Sequence, residues 1–428
     1  MISSIICYIF SILCIIVCYN IAEVKLFFNL ELSYISLIYF LTLTKDPAFL
    51  MICVSIVSIL IASNKSILNK LDGATIILFL TGFIGLLVVI VTNNLLELYV
   101  GLEIIGLSFY ILACRERKSI KSTEAGLKYF IVGALSSGFI LLGVSLLYQQ
   151  TGIFELDSIL RIESPISWVL IKIGLLFKLG AAPFHMWVPD IYEGSPTIIA
   201  MYLAIVPKIS YMSVLIRTAD NYSLDLILLI SGVFSLLVGA LGALNQNSIK
   251  RILGYSAIGH TGLMLLSLSQ LNSIGFHASL LYLIIYIIMT INIFLIVIKY
   301  KYTKILELRG LSRRDNVIGL TLGLSFMSIA GIPPLSGFFN KLIVLNSLIS
   351  QQLLVLSTFT VIVSVISVYY YLSITRWVYF EDFTDIQIQQ KLMNHSTSIL
   401  LGISTFLTLT ILVYPYPYLR FIELFFRV

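Results

Sequence analysis

Apolar residues run along this chain in blocks of about twenty, separated by short polar stretches. An α-helix rises 1.5 Å per residue and the hydrocarbon core of a bilayer is about 30 Å thick, so a block of that length spans a membrane once. Marking the blocks gives fourteen expected spans: 2–19, 26–44, 47–62, 74–92, 94–112, 124–148, 166–188, 196–217, 224–244, 251–270, 274–299, 317–346, 352–378 and 396–417. Only Lys45, Asp46 and Pro47 separate the second from the third. The pattern predicts an all-α polytopic membrane protein with about fourteen transmembrane helices and no soluble domain.

Composition agrees. The 428 residues are 59% hydrophobic and 11% charged, with mean hydropathy +1.02, whereas soluble domains carry roughly 25% charged residues. The first block, Ile2 to Tyr19, has no basic residue before it and no small-residue cleavage site after it, so it reads as a retained helix rather than a signal peptide. The cysteines at 7, 14, 18, 53 and 114 form no CxxC pair and read as small buried side chains. His185, His260, His277 and His395 lack the paired spacing of bis-histidine haem ligation, and there is neither a Gly-rich nucleotide loop nor a cysteine cluster for iron–sulfur. The chain is expected to carry no redox cofactor of its own and to bind no nucleic acid.

Charge tests the count of spans. With fourteen, the loops on one side collect seventeen of the 27 basic residues, among them Lys118, Lys121, Lys250, Arg251, Arg313 and Arg314, and the other side five. The rich side is then the cytoplasm or the mitochondrial matrix, with both termini facing away from it. Five lysines remain inside predicted spans: Lys128, Lys172, Lys178, Lys208 and Lys341. Glu103 joins them. A charge at the bilayer centre costs about 2.5–3.5 kcal/mol even on lenient insertion scales, so such residues mark ion pathways by default. Lys128 and Lys172 lie within about two turns of a span end and are able to snorkel. Lys178 and Lys208 are too deep for that. Burial disfavours a lysine's charged form and an opposite charge restores it, so a Lys–Glu pair that opens and closes moves a proton without metal or haem.

Proline marks two of the spans. Pro183 follows Lys178 by five residues; Pro333 and Pro334 sit between Gly331 and Gly337, with Lys341 just beyond. Proline removes a backbone donor and breaks a helix, and broken backbone at membrane depth survives only inside protein or along a wet cavity. Two broken helices five spans apart are the layout of two inverted five-helix repeats, because an odd count reverses the direction of crossing. The expected organisation is three N-terminal helices over 1–73, a first repeat over 74–217, a second over 224–378 and a C-terminal helix over 396–428. Near the first break, His185 reads either as a proton carrier or as a helix-end hydrogen-bonding group. His260, mid-span, reads either as a relay or as a satisfied buried imidazole. Asp190 and Glu193 read as caps or contacts on the basic side, and Glu97 as interfacial.

Four stretches carry a family resemblance: FKLGAAPFHMWVPDIYEGSPT (177–197), AGLKYFIVGALSSG (125–138), QNSIKRILGYSAIGHTGLMLL (246–266) and GIPPLSGFFNK (331–341). They resemble the antiporter-like membrane subunits of NADH:ubiquinone oxidoreductase, respiratory complex I. The PFHMWVPDIYEGSP form is nearer to the group called subunit 2 in mitochondria and N in bacteria than to sister subunits 4 and 5. The resemblance covers about 110 to 345; outside it the match is mainly in hydrophobicity. It implies a proton-translocating role with Glu103 as key glutamate, Lys178 as broken-helix lysine, Lys208 and Lys341 as further lysines and His260 as the tenth-span histidine. It leaves His185 and Lys128 as secondary relay candidates. It implies that FMN, iron–sulfur clusters and ubiquinone belong to partner subunits, and that the partners are the neighbouring subunit 4, small membrane subunits, accessory subunits and lipids. Lys172 is outside the family pattern. Richness in Ile, Phe and Tyr favours a mitochondrial inner membrane, with a bacterial plasma membrane as the alternative. Two other functions fit the same charges: a subunit of a multi-subunit cation/proton antiporter, and a non-pumping scaffold within complex I.

Overall fold

The computed structural model describes residues 73–160, 165–219, 225–381 and 395–413, with Pro415. The three expected N-terminal spans, the cysteines at 7, 14, 18 and 53 and the stretch beyond 415 lie outside the described residues. Each of the other eleven expected spans is helical within the described residues. In chain order these are α1 (Gly73–Val91), α2 (Leu95–Ala113), α3 (Ile120–Thr151), α4 (Pro165–Leu179), α5 (Trp187–Gly194), α6 (Thr197–Arg217), α7 (Leu226–Ala243), α8 (Ile249–Leu268), α9 (Ser273–Tyr300), α10 (Asn316–Ala330), α11 (Ser336–Ser350), α12 (Leu354–Tyr379) and α13 (His395–Val413). Among the described residues, seven of these are long and apolar enough to cross a membrane alone: α1, α2, α3, α6, α7, α9 and α12. The α4/α5 and α10/α11 pairs make up the two spans expected to be broken.

The two halves are built alike. In the first, α1 packs on α2, α3 on α4, and α6 against α1 and α4; in the second, α7 packs on α8, α9 on α10, and α12 against α7 and α10. Two small backbone bridges fix the correspondence. Asn94, just before α2, bridges to Glu155 after α3; Ser248, just before α8, bridges to Lys304 after α9. Paired N–H···O=C bonds make each bridge, Leu95 to Phe154 and Leu156 to Asn93 in one, Ile249 to Thr303 and Ile305 to Asn247 in the other. Between Asn94 and Ser248 the chain crosses the bundle five times, through α2, α3, α4/α5, α6 and α7. The bridges therefore sit at opposite ends, and the repeat is inverted.

The breaks share a construction too. At the end of α4, Gly180 N–H donates to Phe177 O and Ala181 N–H to Leu176 O. At the end of α10, Gly331 N–H donates to Ser328 O and Ile332 N–H to Met327 O. Each is a Schellman stop, which needs a left-handed residue after the last helical one; the glycines have φ +70° and +84°. Proline then prevents the helix from resuming at once.

α6 and α9 are the most enclosed of the long helices, and α12 the least. Outward residues such as Leu127, Phe130 and Ile131 on α3, or Val355, Ile362 and Val365 on α12, are apolar and exposed, as a lipid-facing surface requires. Ends are tied by polar side chains. Arg217, at the end of α6, donates to the carbonyls of Val89, Ile90 and Thr92 and to Asn93 Oδ1, satisfying the last carbonyls of α1, which have no intrahelical partner.

Candidate proton-translocation site

The interior charges lie on helices at the breaks and on the helices packed behind them. Lys178 is in the last turn of α4. Its ammonium donates to Glu103 Oε1, on α2, at 2.9 Å. The lysine side chain is 3% exposed and the glutamate 24%, so the pair has one buried member and one near an opening. Glu103 reaches it because α2 lies on the face of the bundle that α3 and α6 share.

Beside Lys178 lies a cavity of about 20 Å³, lined by Tyr129, Trp187 and Tyr192 on one flank and Leu203, Pro207 and Lys208 on the other. That is room for one water. Lys208 is in the middle of α6, directly after Pro207. A proline inside a helix removes a donor and leaves the carbonyl four residues back without its usual partner; here that is Leu203, a cavity-lining residue. The Lys208 ammonium donates to Ala257 O at 3.2 Å and to the Tyr286 hydroxyl at 3.1 Å, and lies 4.4 Å from the Tyr286 ring centre. Three neutral partners take the place of a carboxylate.

From Tyr286 the row passes into the second half. Its ring centre is 5.3 Å from that of His260 on α8. His260 is buried, with Nδ1 at 2.6 Å from the Tyr282 hydroxyl and Nε2 at 3.3 Å from that of Tyr371. Tyr371 also meets Ser256 at 2.6 Å. A second cavity, about 30 Å³, joins His260, Tyr371 and Lys341, with Ser256, Ser364 and Ser367 on its walls. Lys341 lies in α11, just after the second break, and donates to Ala330 O at 2.6 Å, the last carbonyl of α10. A cation at a helix C-terminus is favoured by the helix dipole. Five of the residues read from the sequence (Glu103, Lys178, Lys208, His260 and Lys341) thus form one row, with tyrosines and two water-sized cavities between them.

The other two are elsewhere. His185 is half-buried in the linker between α4 and α5, and no hydrogen bond or ion pair joins it to the row. Lys128, read as able to snorkel from near a span end, lies at the surface. Its side chain is 43% exposed and pairs with Asp190 at 2.8 Å and Glu124 at 2.6 Å. These belong to a cavity of about 200 Å³ lined by Lys121, Glu124, Lys128, Asp190, Glu193 and Arg251. Arg251 pairs with Asp190 and Glu193, and Lys121 with Glu193. Asp190 and Glu193 are thus contacts on the basic side, and the helix that carries Lys128 turns it toward them because α3 packs on α5.

Three features escaped the sequence reading. The tyrosines at 282, 286 and 371 are scattered among many aromatic residues, and nothing in the local pattern marks them. Pro207, inside an apolar block next to a lysine, was a legible signal. Asp225 was the third: it is buried and ion-paired to Lys172, which had been expected to snorkel. The acid sits at the start of its block, just before the helix begins at Leu226, where a capping role hides a pairing role.

The family model for "NADH:quinone oxidoreductase/Mrp antiporter, TM" matches residues 92–367. The chain is 40% identical over 364 residues to NADH-ubiquinone oxidoreductase chain 2 of Metridium senile, covering 80% of this chain and 94% of that one. It is 40% identical over 330 residues to NADH-quinone oxidoreductase subunit N of a Wolbachia from Brugia malayi, covering 73% and 71%. Among solved structures, a chain of respiratory complex I from Thermus thermophilus superposes with a TM-score of 0.76 at 28% identity, covering 88% of this chain and 86% of that one. A chain of the Mrp complex from Dietzia has a TM-score of 0.77 at 19% identity, covering 90% and 84%, a likeness of fold alone.

Proposed function

Because this chain belongs to the NADH:quinone oxidoreductase/Mrp antiporter transmembrane family, we propose that it is a proton-translocating, antiporter-like membrane subunit of a respiratory complex I. The observation that carries the reading is the row from Glu103 and Lys178 through Lys208 and His260 to Lys341. Proteins do not keep ionisable groups at membrane depth without a use for them, and these are linked by two cavities of about the size of a water rather than dispersed.

The row works as follows. With Glu103 in contact, the Lys178 ammonium is stabilised. When the pair opens, a bare ammonium in a low-dielectric interior is costly, which favours proton release. Water in the cavity takes the proton toward Lys208, whose neutral partners hold an ammonium without trapping it as a carboxylate would. Tyr286, His260 and Tyr371 then offer hydroxyl and imidazole groups that both donate and accept, ending at Lys341. The charged cavity around Lys128, Asp190 and Arg251 is a hydrated mouth on the basic side. In this reading the chain contributes to NADH:quinone reductase as a membrane subunit, while FMN, iron–sulfur clusters and ubiquinone reside in partner subunits. Its neighbours are a second antiporter-like subunit, small membrane subunits, accessory subunits and lipids, and its place is the mitochondrial inner membrane.

The test is Lys178→Met in the intact complex, with proton uptake and NADH oxidation measured together in sealed vesicles. Pumping per NADH is expected to collapse; unchanged pumping removes the proposed role. Sodium-dependent exchange uncoupled from NADH oxidation would instead indicate a cation/proton antiporter subunit. Lost assembly on helix deletion, together with unimpaired pumping when Lys208 and Lys341 are both neutralised, would indicate a scaffold.

A further inference from the structure

The pair Lys172–Asp225 takes no part in that row. Lys172 is on α4, six residues before Lys178 and about 9 Å along the same half-helix. Both side chains of the pair are among the least exposed charged groups described, at 9% and 5%. Asp225 also caps α7, accepting from the backbone N–H groups of Ile227 and Leu228 through its other oxygen. Its two oxygens therefore divide their work between a helix start and a cation on another element. Ten residues further along both segments a second contact repeats the link: Ala182 N–H, in the break after α4, donates to Ser235 Oγ on α7 at 2.8 Å. Thus α7, the first helix of the second half, holds the broken helix of the first half at two levels, one on each side of Lys178.

Resting on the proton-translocating reading above, we propose that Lys172 and Asp225 are a positioning clasp. They fix the half-helix that carries Lys178 against the second half, so that opening of the Glu103–Lys178 pair is felt across the boundary between the repeats. Buried ion pairs are poor sources of net stability, because desolvation offsets their attraction, but breaking one by removing a single partner strands a charge. A clasp retained at that cost is explained by the geometry it enforces. Neither member touches the proton row, so the effect is through Lys178 and not through a proton of their own.

The experiment uses the complete complex in native membranes, comparing K172M, D225N, K172M/D225N and K172R, with K178M in parallel. Assembly is read on a native gel, and protons moved per NADH oxidised in sealed vesicles. Asn caps a helix as well as Asp, so D225N removes the charge and spares the start of α7. The double variant strands no charge. It is expected to assemble and oxidise NADH while moving fewer protons per NADH, and K172R is expected to pump normally, since arginine keeps the pair. Normal pumping by the double variant overturns the clasp. So does a K172R variant that assembles but pumps less, because arginine cannot give up its proton and Lys172 would then be a carrier. If the double variant does not assemble, K172R alone decides between these. The K178M control separates the two levels: if it pumps normally, the proposed function fails whatever the clasp variants do.

Discussion

The two breaks use one backbone design with different electrostatics. Each break begins with a Schellman stop on a left-handed glycine, and each has a lysine ammonium close by, Lys178 on the half-helix before the stop and Lys341 on the half-helix after it. In the first half the lysine precedes the stop and meets a carboxylate, Glu103. In the second it follows the stop and meets a backbone carbonyl, Ala330 O. Among the described residues, the acidic groups of the second half lie at helix ends and connections (Asp225, Glu307, Asp315), and its interior offers His260 and tyrosines instead. A carboxylate can be paired or unpaired, and so gives two states. A carbonyl fixed at a helix end gives one. In the proposed mechanism the first half is then the switch, and the second a receiver that passes on what it gets.

That contrast can be broken most directly by removing each lysine in turn. Lys178→Met leaves Glu103, 24% exposed, without its cation; breaking a fully buried pair costs about 3–5 kcal/mol, an upper bound here, and pumping is expected to vanish and the complex to dissociate at lower temperature. Lys341→Met removes one hydrogen bond to a charged donor, about 1.5–3 kcal/mol. It should lower pumping with a smaller shift in thermal dissociation. Equal destabilisation by the two would mean that the partners are not as different as their chemistry suggests.

The glycines sharpen the comparison from the backbone side. A Cβ at Gly180 would lie 2.2 Å from Val188 Cγ2, and one at Gly331 would lie 2.8 Å from Lys341 Cδ. Both alanine variants incur about 1–2 kcal/mol for a left-handed residue. Gly180→Ala adds overpacking against a branched side chain, about 1–3 kcal/mol, so the larger drop in thermal stability is expected there. Gly331→Ala instead pushes on a flexible stem and is expected to show mainly as reduced pumping. His260→Gln tests the receiver. It disturbs contacts to Tyr282 and Tyr371, each about 1 kcal/mol, and should slow proton transfer with assembly intact; unchanged pumping would take His260 out of the row. Lys121→Gln marks the small end of the scale. That side chain is 73% exposed, and exposed ion pairs contribute about 0–1 kcal/mol, so neither pumping nor thermal stability should move measurably.

The block length of the apolar segments settled the class and, among the described residues, the crossings, because a bilayer of fixed thickness admits few other lengths. The lysines and Glu103 stood out for the same reason: a charge in an apolar block is costly wherever the fold puts it, so its presence is informative without coordinates. Pro183, Pro333 and Pro334 marked the breaks because proline acts on its own helix. Pairing was another matter. That Lys178 meets Glu103 from 75 positions away, that Lys172 meets Asp225, that Lys128 turns to a surface network and that Tyr286 joins His260 to Lys208 all depend on which helices pack together. The inversion of the repeats was inferable from an odd count, yet it became visible only in the two bridges at opposite ends, since the two halves share backbone geometry and little side-chain pattern. Local chemistry is written residue by residue along the chain; partnership is a property of distances across it, and those the packing of the helices decides.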